Sequence, residues 1–165
     1  MTEEVKPMPK KTILQECWIW NGTVTEFIKD RIIGRSLNVC AGANPICDIN
    51  IDLDPKDKSI LKGEMRCLGF EPETFDAVVQ DPPWKIGYYE RMRPFFECVR
   101  VCKIGGRIIY NATWIPRSDD VELDGRPYVR QDNQFSNASV ISIFKKFRAN
   151  PEYEAKIAAE RGADE

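Results

Sequence analysis

Histidine is absent from the 165-residue sequence. Its absence excludes a mixed cysteine and histidine zinc site, the Ser-His-Asp and Cys-His catalytic arrangements, and the most common general base. The six cysteines include no C-x-x-C pair, so they indicate reduced thiols rather than a metal or redox site. We therefore expect no metal, and any chemistry of this chain must use other side chains.

Long apolar runs and a strong excess of one charge are also lacking. No apolar run is long enough to span a membrane, and residues 1–11 lack the apolar stretch of a signal peptide. The net charge is −2 and the sequence pI is about 5.4, so the chain as a whole lacks the basic signature of a nucleic-acid-binding protein. A local basic patch remains compatible with these values. The features predict a cytoplasmic protein that does not contact a membrane.

The composition is that of one globular domain, with 42% hydrophobic and 30% charged residues. We expect a flexible N-terminal tail over residues 1–11, a single domain over 12–150, and a peripheral C-terminal helix or tail over 151–165. No internal repeat or low-complexity segment interrupts this organisation.

Hydrophobic periodicity predicts helices that alternate with strands. The predicted helices lie at 23–33, 90–102 and 151–161, a helical turn is expected over 56–61, and the predicted strands lie at 37–40, 49–53, 75–80, 107–114, 126–131 and 138–147. Asn21 is the expected N-cap of the first helix, and "KIGG" is expected to be a turn. The alternation indicates an α/β domain with a mainly parallel sheet, in which ligands bind beyond the carboxyl ends of the strands.

The motif "DPPW", residues 81–84, follows the nearly all-apolar segment "FDAVVQ". Such a segment is typical of a strand that is buried on both faces. Two consecutive prolines have no N–H group and a fixed φ, so they end the strand. The motif therefore places a carboxylate and a large aromatic side chain at the edge where ligands bind.

Four segments together resemble a class I S-adenosylmethionine-dependent methyltransferase: "LNVCAGANP", "NIDLDP", "DPPW" and "RVCKIGGRIIYNATW". "DPPW" is similar to the (D/N/S)-P-P-(Y/F/W) motif of the amino-methyltransferases, which methylate amide or exocyclic nitrogens, above all adenine N6. The resemblance covers roughly residues 18–147 and implies a Rossmann-like sheet. Only twelve residues separate Val39 from Asp52, so the first crossover is abbreviated.

The resemblance implies S-adenosylmethionine as the cofactor. Gly42 lies in a tight turn that suits the methionine part, and Asp52, with Asp54 as the alternative, would accept the ribose hydroxyls. Glu64 would bind the adenine amino group, and Met65 would pack on the ring. The predicted cofactor-binding residues are Cys40, Ala41, Gly42, Asp52, Glu64, Met65 and Asp81.

The motif residues Asp81, Pro82, Pro83 and Trp84 are the predicted catalytic residues. Asp81 and the Pro82 carbonyl would accept the two N–H groups of a target amine, and Trp84 would stack on an extruded base. The predicted substrate-binding residues are Trp84, Lys85, Tyr88, Tyr89 and Asn111. The two tyrosines could instead simply pack.

Other aromatic and basic residues have two interpretations each. Trp18, Trp20 and Trp114 are expected to lie mainly in the core, with a role near the cofactor as the alternative. Arginines and a lysine could contact phosphates or form a solvated face: Lys85, Arg91, Arg93, Arg117, Arg126 and Arg130.

The sequence therefore predicts an N-methyltransferase, most directly of adenine N6 in DNA or RNA. The alternatives are methylation of cytosine N4, of a protein glutamine or of a small molecule, and a non-catalytic subunit of a complex. Because no second domain is evident for recognising a target, loops such as 116–134, a homo-oligomer or a recognition partner could supply specificity.

Overall fold

The structure is a computed structural model that describes residues 20–130 and 138–163. The predicted tail over 1–11, Trp18 and the whole loop "DNQFSN" lie outside the described residues. The helices are α1 (Gly22–Lys29), α2 (Met92–Val101) and α3 (Pro151–Gly162). The strands are β1 (Ser36–Val39), β2 (Ile49–Asp52), β3 (Leu61–Lys62), β4 (Phe75–Gln80), β5 (Cys102–Ala112), β6 (Val121–Leu123), β7 (Tyr128–Arg130) and β8 (Ser139–Lys146).

The strands form one mixed sheet in the order β3-β2-β1-β4-β5-β8-β6, and β7 also pairs with β8. Strands β1 to β5 pair in parallel, whereas β8 runs antiparallel to β5. The predicted α/β fold with a mainly parallel sheet is thereby confirmed. Residues 40–48 contain no helix, so β1 and β2 are joined by the short crossover that the sequence predicted.

Several element bounds differ from the sequence prediction. Residues 61–62 form the edge strand β3 where a helical turn was expected, and β6 was not predicted. The segment "KIGG" is not a separate turn, because β5 begins at Cys102. The pairing with β4 shifts between Phe75 and Ala77, and Gly105 has a φ of +81°, so this segment is a bulge within the strand. Helix α1 is shorter than predicted, but Asn21 caps it through Val24 N–H.

Two hydrophobic clusters cover the two faces of the sheet. On one face α2 contributes Phe95 and Val99, which pack with Val78 of β4. On the other face α1 contributes Ile28, which packs with Val79 of β4. Consecutive residues of β4 thus face opposite clusters, which confirms that this strand is buried on both sides.

Helix α3 packs against α2 after its N-cap Asn150, whose side chain accepts a hydrogen bond from Tyr153 N–H. Ile157 is buried, and the Tyr153 ring centroid lies 5.7 Å from that of Phe96. The Tyr153 hydroxyl donates to Glu97 at 3.3 Å. Within residues 20–130 and 138–163, no helix has the length and apolar character needed to cross a bilayer.

Candidate functional site

The turn after β1 has an unusual backbone. Cys40 and Gly42 have φ values of +59° and +56°, in the left-handed region. Asn44 N–H donates to the Ala41 carbonyl at 2.8 Å, and the Asn38 side chain donates to the Asn44 carbonyl at 2.7 Å. This compact turn lies at the carboxyl edge of the sheet, as predicted. Only Gly42 meets the left-handed conformation without steric cost, so Cys40 is held there by its surroundings.

Asp52 connects this turn to the end of β2. Its Oδ2 accepts from Gly42 N–H at 2.8 Å, and its Oδ1 accepts from Asp54 N–H at 2.9 Å. Each carboxylate oxygen has a second acceptor position, so the group can still bind hydroxyls. Asp54 is a poor alternative, because its side chain is 80% exposed and pairs with Lys56.

The predicted adenine residues have partners within the chain. Glu64 accepts from the backbone N–H and the guanidinium of Arg66, and that hydrogen bonding holds the pKa of Glu64 below its usual value. The Met65 sulfur lies 3.5 Å from the Cys40 sulfur. The structure therefore brings Met65 to the turn after β1, whereas Glu64 would have to share its oxygens between Arg66 and a ligand.

Asp81 is the polar centre of the site. The Trp20 indole Nε1–H donates to Oδ2 at 2.8 Å, and the Asn111 amide donates to Oδ1 at 3.0 Å. Burial raises the pKa of Asp81 to about 6, although hydrogen bonds from Trp20, Asn111 and Trp84 and the charge of Arg130 lower it. The Asp81 backbone N–H faces the Val39 carbonyl at 3.4 Å, which places the motif beside the end of β1.

The prolines that follow are held differently. Pro82 is buried, whereas Pro83 is exposed and its carbonyl accepts from Ile86 N–H at 3.1 Å. Trp84 is half-buried and hydrogen-bonds to Asp81, so its indole lies beside the carboxylate.

The segment after the motif lies on the surface. Tyr88 and Tyr89 are exposed, with ring centroids 5.5 Å apart, and Lys85 is exposed as well. The Arg91 guanidinium lies 4.0 Å from the Tyr88 ring centroid and 5.4 Å from that of Trp114. Of the predicted substrate-binding residues, Trp84 and Asn111 contact Asp81, and no contact within the described chain joins the other three to it.

Two residues at the site were not assigned to it from the sequence. Trp20 was expected in the core, and its ring is indeed 93% covered, but its N–H reaches Asp81, 61 positions away. Arg130 was expected on a basic surface strip, yet it is only 6% exposed and its charge acts on Asp81. No local pattern could indicate either relationship, because Trp20 precedes α1 and Arg130 ends β7, and both segments are far from Asp81 in the sequence.

Comparisons with known proteins identify only the fold. No protein-family model and no curated protein matches the sequence. The N-methyltransferase NodS from Bradyrhizobium japonicum WM9 is similar in structure, with a TM-score of 0.56 and 11% identity over 76% of this chain and 94% of that one. A second similar structure is a chain from a Haloferax volcanii complex, in which the methyltransferase activator Trm112 binds a protein assigned as a methyltransferase. The TM-score is 0.58, with 8% identity over 84% of this chain and 92% of that one. The chain therefore has the class I methyltransferase fold.

Proposed function

We propose that this chain is an S-adenosylmethionine-dependent N-methyltransferase and that its target is adenine N6 in DNA or RNA. The observation that carries the proposal is the position of Asp81. Its partly buried carboxylate lies at the carboxyl end of β4, beside the end of β1 and held by Trp20 and Asn111. In open α/β sheets this edge is where ligands bind.

The residues around the turn after β1 fit the cofactor. Gly42 has no Cβ and a left-handed backbone, which permits close approach of a ligand. Asp52 has acceptor positions for ribose hydroxyls, and the half-buried Met65 offers a thioether surface for an adenine ring. Bound S-adenosylmethionine supplies a methyl group on a positively charged sulfur. The fold shared with methyltransferases supports the same assignment.

The motif provides the acceptors that an exocyclic amine needs. The amine is a weak nucleophile because its lone pair is delocalised into the ring. Acceptance of both N–H groups favours a pyramidal nitrogen whose lone pair is available. Asp81 supplies a carboxylate oxygen, and the buried Pro82 supplies a backbone carbonyl. The fixed φ of the two prolines orients that carbonyl, and Trp84 beside Asp81 can stack on the base.

Asp81 can also receive the proton that the methylated nitrogen must lose. A general base works best when its pKa lies near the working pH. Burial raises the pKa of Asp81 to about 6, so the group is mainly ionised at neutral pH and still basic enough to accept a proton. The reaction therefore requires no histidine from this chain.

A second candidate, methylation of a small amine, is favoured by the charges beside the motif. Arg66 pairs with Glu64 and lies 3.6 Å from Glu90, and Arg93 pairs with Glu160 at 2.6 Å. These two guanidinium groups are already neutralised by carboxylates, so they contribute little to phosphate binding. For a polymeric substrate, we propose that a recognition partner or a second copy of the chain supplies further contacts.

The test is incubation with methyl-labelled S-adenosylmethionine and separate pools of DNA, RNA, protein and metabolites, followed by digestion and mass spectrometry. Labelled N6-methyladenine in a nucleic-acid pool is the expected result. Asp81→Ala should lose the label while cofactor affinity stays within a few-fold. Label in the metabolite pool alone would select the small-amine candidate, and equal labelling by Asp81→Ala would contradict the role of the motif.

A further inference from the structure

Trp20 has the geometry of a residue that holds Asp81 in place. It immediately precedes α1 and its capping residue Asn21, and it is 7% exposed. Its ring belongs to the hydrophobic cluster that includes Val79 and Ile109, on the sheet face covered by α1. The only polar atom of the side chain is Nε1, and that atom donates to Asp81 Oδ2 at 2.8 Å.

We infer that Trp20 is a positioning residue for the proposed reaction: its core-anchored indole fixes the orientation and ionisation of the Asp81 carboxylate. Asn111, 1% exposed on β5, holds the other oxygen at 3.0 Å. These two donors come from separate, packed elements, and together with the hydrogen bond from Trp84 they restrict rotation of the carboxylate. The acceptor position that the three donors leave open faces a substrate amine in the proposed function. The role of Trp20 in catalysis rests on the proposed function. The hydrogen bond between Trp20 and Asp81 is observed in the structure and does not depend on that function.

A titration near pH 6 can be assigned to Asp81 because the ionisable groups beside it do not titrate in that pH range. Arg130 from β7, Cys40 after β1 and Tyr110 in β5 are the ionisable groups whose charges couple to it. Burial raises the pKa of the Cys40 thiol and of the Tyr110 hydroxyl above their usual values. A guanidinium stays charged throughout the accessible range. A transition near pH 6 in this pocket therefore belongs to Asp81.

Removal of the indole N–H should raise the pKa of Asp81. Burial disfavours the carboxylate, and the hydrogen bond from Trp20 is the largest effect in the opposite direction. A hydrogen bond to a charged group contributes about 1.5–3 kcal/mol, which corresponds to about one to two pH units. Trp20→Phe keeps an aromatic ring and removes the donor together with part of the indole volume. Trp114→Phe is the matched control, because it removes the same volume and because Trp114 Nε1 is buried and has no hydrogen-bond partner among the described residues.

The experiment is a carboxyl ¹³C NMR titration of aspartate-labelled full-length protein, with the Asp81 signal assigned by its loss in Asp81→Asn. We expect a wild-type pKa near 6, an upward shift of about one to two units in Trp20→Phe, and no shift in Trp114→Phe. Should Trp20→Phe fail to fold, 3-benzothienylalanine at position 20 replaces the N–H by sulfur and keeps the ring volume. An unchanged titration in the folded variant overturns the inference.

An assay of methyl transfer then tests the role of Trp20 separately from the proposed function. If wild-type protein transfers methyl groups, Trp20→Phe should lower kcat at pH 7 by about two- to tenfold, with KM nearly unchanged and activity recovering at higher pH. A loss of activity that does not recover with pH overturns the role of Trp20 in the ionisation of Asp81. If the pKa shifts as expected and no substrate is methylated, the contact between Trp20 and Asp81 stands and the proposed function fails.

Discussion

The backbone N–H of Gly42 donates to Asp52 Oδ2 at 2.8 Å, so one carboxylate joins the turn after β1 to the end of β2. The two strands are neighbours, with Val39 opposite Ile51. The same carboxylate also accepts from Asp54 N–H through Oδ1. Asp52 thus shapes the turn and, in the proposed function, also binds the ribose. A variant that removes the carboxylate oxygens of Asp52 therefore affects both roles at once.

Asp52→Ala should therefore weaken both folding and cofactor binding. Loss of two charge-assisted hydrogen bonds should lower the free energy of unfolding by about 1–3 kcal/mol. Binding of S-adenosylmethionine should weaken at least about tenfold, because the acceptors for the ribose are lost. Urea unfolding and calorimetric titration measure the two effects.

The matched control is Asp54→Ala. Its side chain is 80% exposed and pairs only with Lys56 among the described residues, so its removal should change unfolding and binding little. If Asp54→Ala weakens binding and Asp52→Ala does not, the ribose contact belongs to Asp54 instead.

Asp81→Asn should stabilise the protein at pH 7.5 while it removes activity. The pKa of Asp81 rises from 3.8 to about 6 on folding, so the folded chain binds this proton more tightly than the unfolded chain. The stabilisation that results is complete below pH 4 and is lost as the pH rises through 6, where a partly buried charge forms. The introduced amide carries no charge. The Asn111 side chain, whose Oδ1 has no partner within residues 20–130 and 138–163, can rotate to accept from that amide.

Urea unfolding at pH 5 and at pH 7.5 measures this effect. From pH 5 to pH 7.5, the free energy of unfolding should fall more for the wild-type protein than for Asp81→Asn. At pH 7.5 the variant should be more stable than the wild type by about 1 kcal/mol or more. Parallel pH profiles for the two proteins would mean that Asp81 titrates at its ordinary pKa.

Gly34→Ala should destabilise the fold at a position remote from the chemistry. Gly34 has a φ of +54°, and an added Cβ would lie 2.6 Å from Asp76 Oδ2. Asp76 cannot move freely, because it accepts from Arg35 N–H and from the Lys103 ammonium, each at 2.9 Å. Backbone strain and displacement of Asp76 should together cost about 2 kcal/mol in urea unfolding.

Gly69→Ala serves as the control for this change, because a Cβ at Gly69 meets no atom within 4 Å and its φ is not in the left-handed region. We expect the control to unfold at the wild-type denaturant concentration within about 0.5 kcal/mol. Equal destabilisation by both variants would mean that neither the left-handed backbone of Gly34 nor its contact with Asp76 determines the cost.

The sequence predicted those parts of the fold whose signal is local. Strand β4 was located with correct bounds because "FDAVVQ" is a continuous apolar run that two prolines end. Strand β3 escaped detection because its two residues are exposed and carry no apolar pattern. The bulge in β5 looked like a turn because its glycines permit either structure, and pairing with β4 decides between them.

The candidate site divides in the same way. The positions of Asp81, Gly42 and Asp52 at one edge could be predicted because each ends or closely follows a strand, and carboxyl ends of parallel strands share an edge. Trp20 and Arg130 could not, since their relation to Asp81 is created by packing between distant segments. The ion pair between Arg66 and Glu64 could likewise not be predicted from the spacing of the two residues.

The buried pair of Glu97 and Arg100 on α2 should be the most sensitive ion pair in the described part of the chain. Both side chains are at most 2% exposed, and the pair is 2.8 Å apart. Arg100 also donates to the carbonyls of Leu68 and Phe70, in the segment that follows Met65. Arg100→Met should therefore destabilise the fold by about 3–5 kcal/mol, because it leaves a buried carboxylate without its cation.

The control is Arg93→Met, which removes an exposed bond to the Arg66 carbonyl and a half-exposed pair with Glu160 and should cost about 1 kcal/mol or less. Chemical unfolding ranks the two variants. A calorimetric titration of folded Arg100→Met with S-adenosylmethionine should also show weaker binding, since the loop that carries Met65 loses its anchor on α2. A cost below about 1 kcal/mol for Arg100→Met would contradict this prediction. It would mean that the bonds that Glu97 accepts from Leu68 N–H and the Tyr153 hydroxyl hold the loop without the arginine.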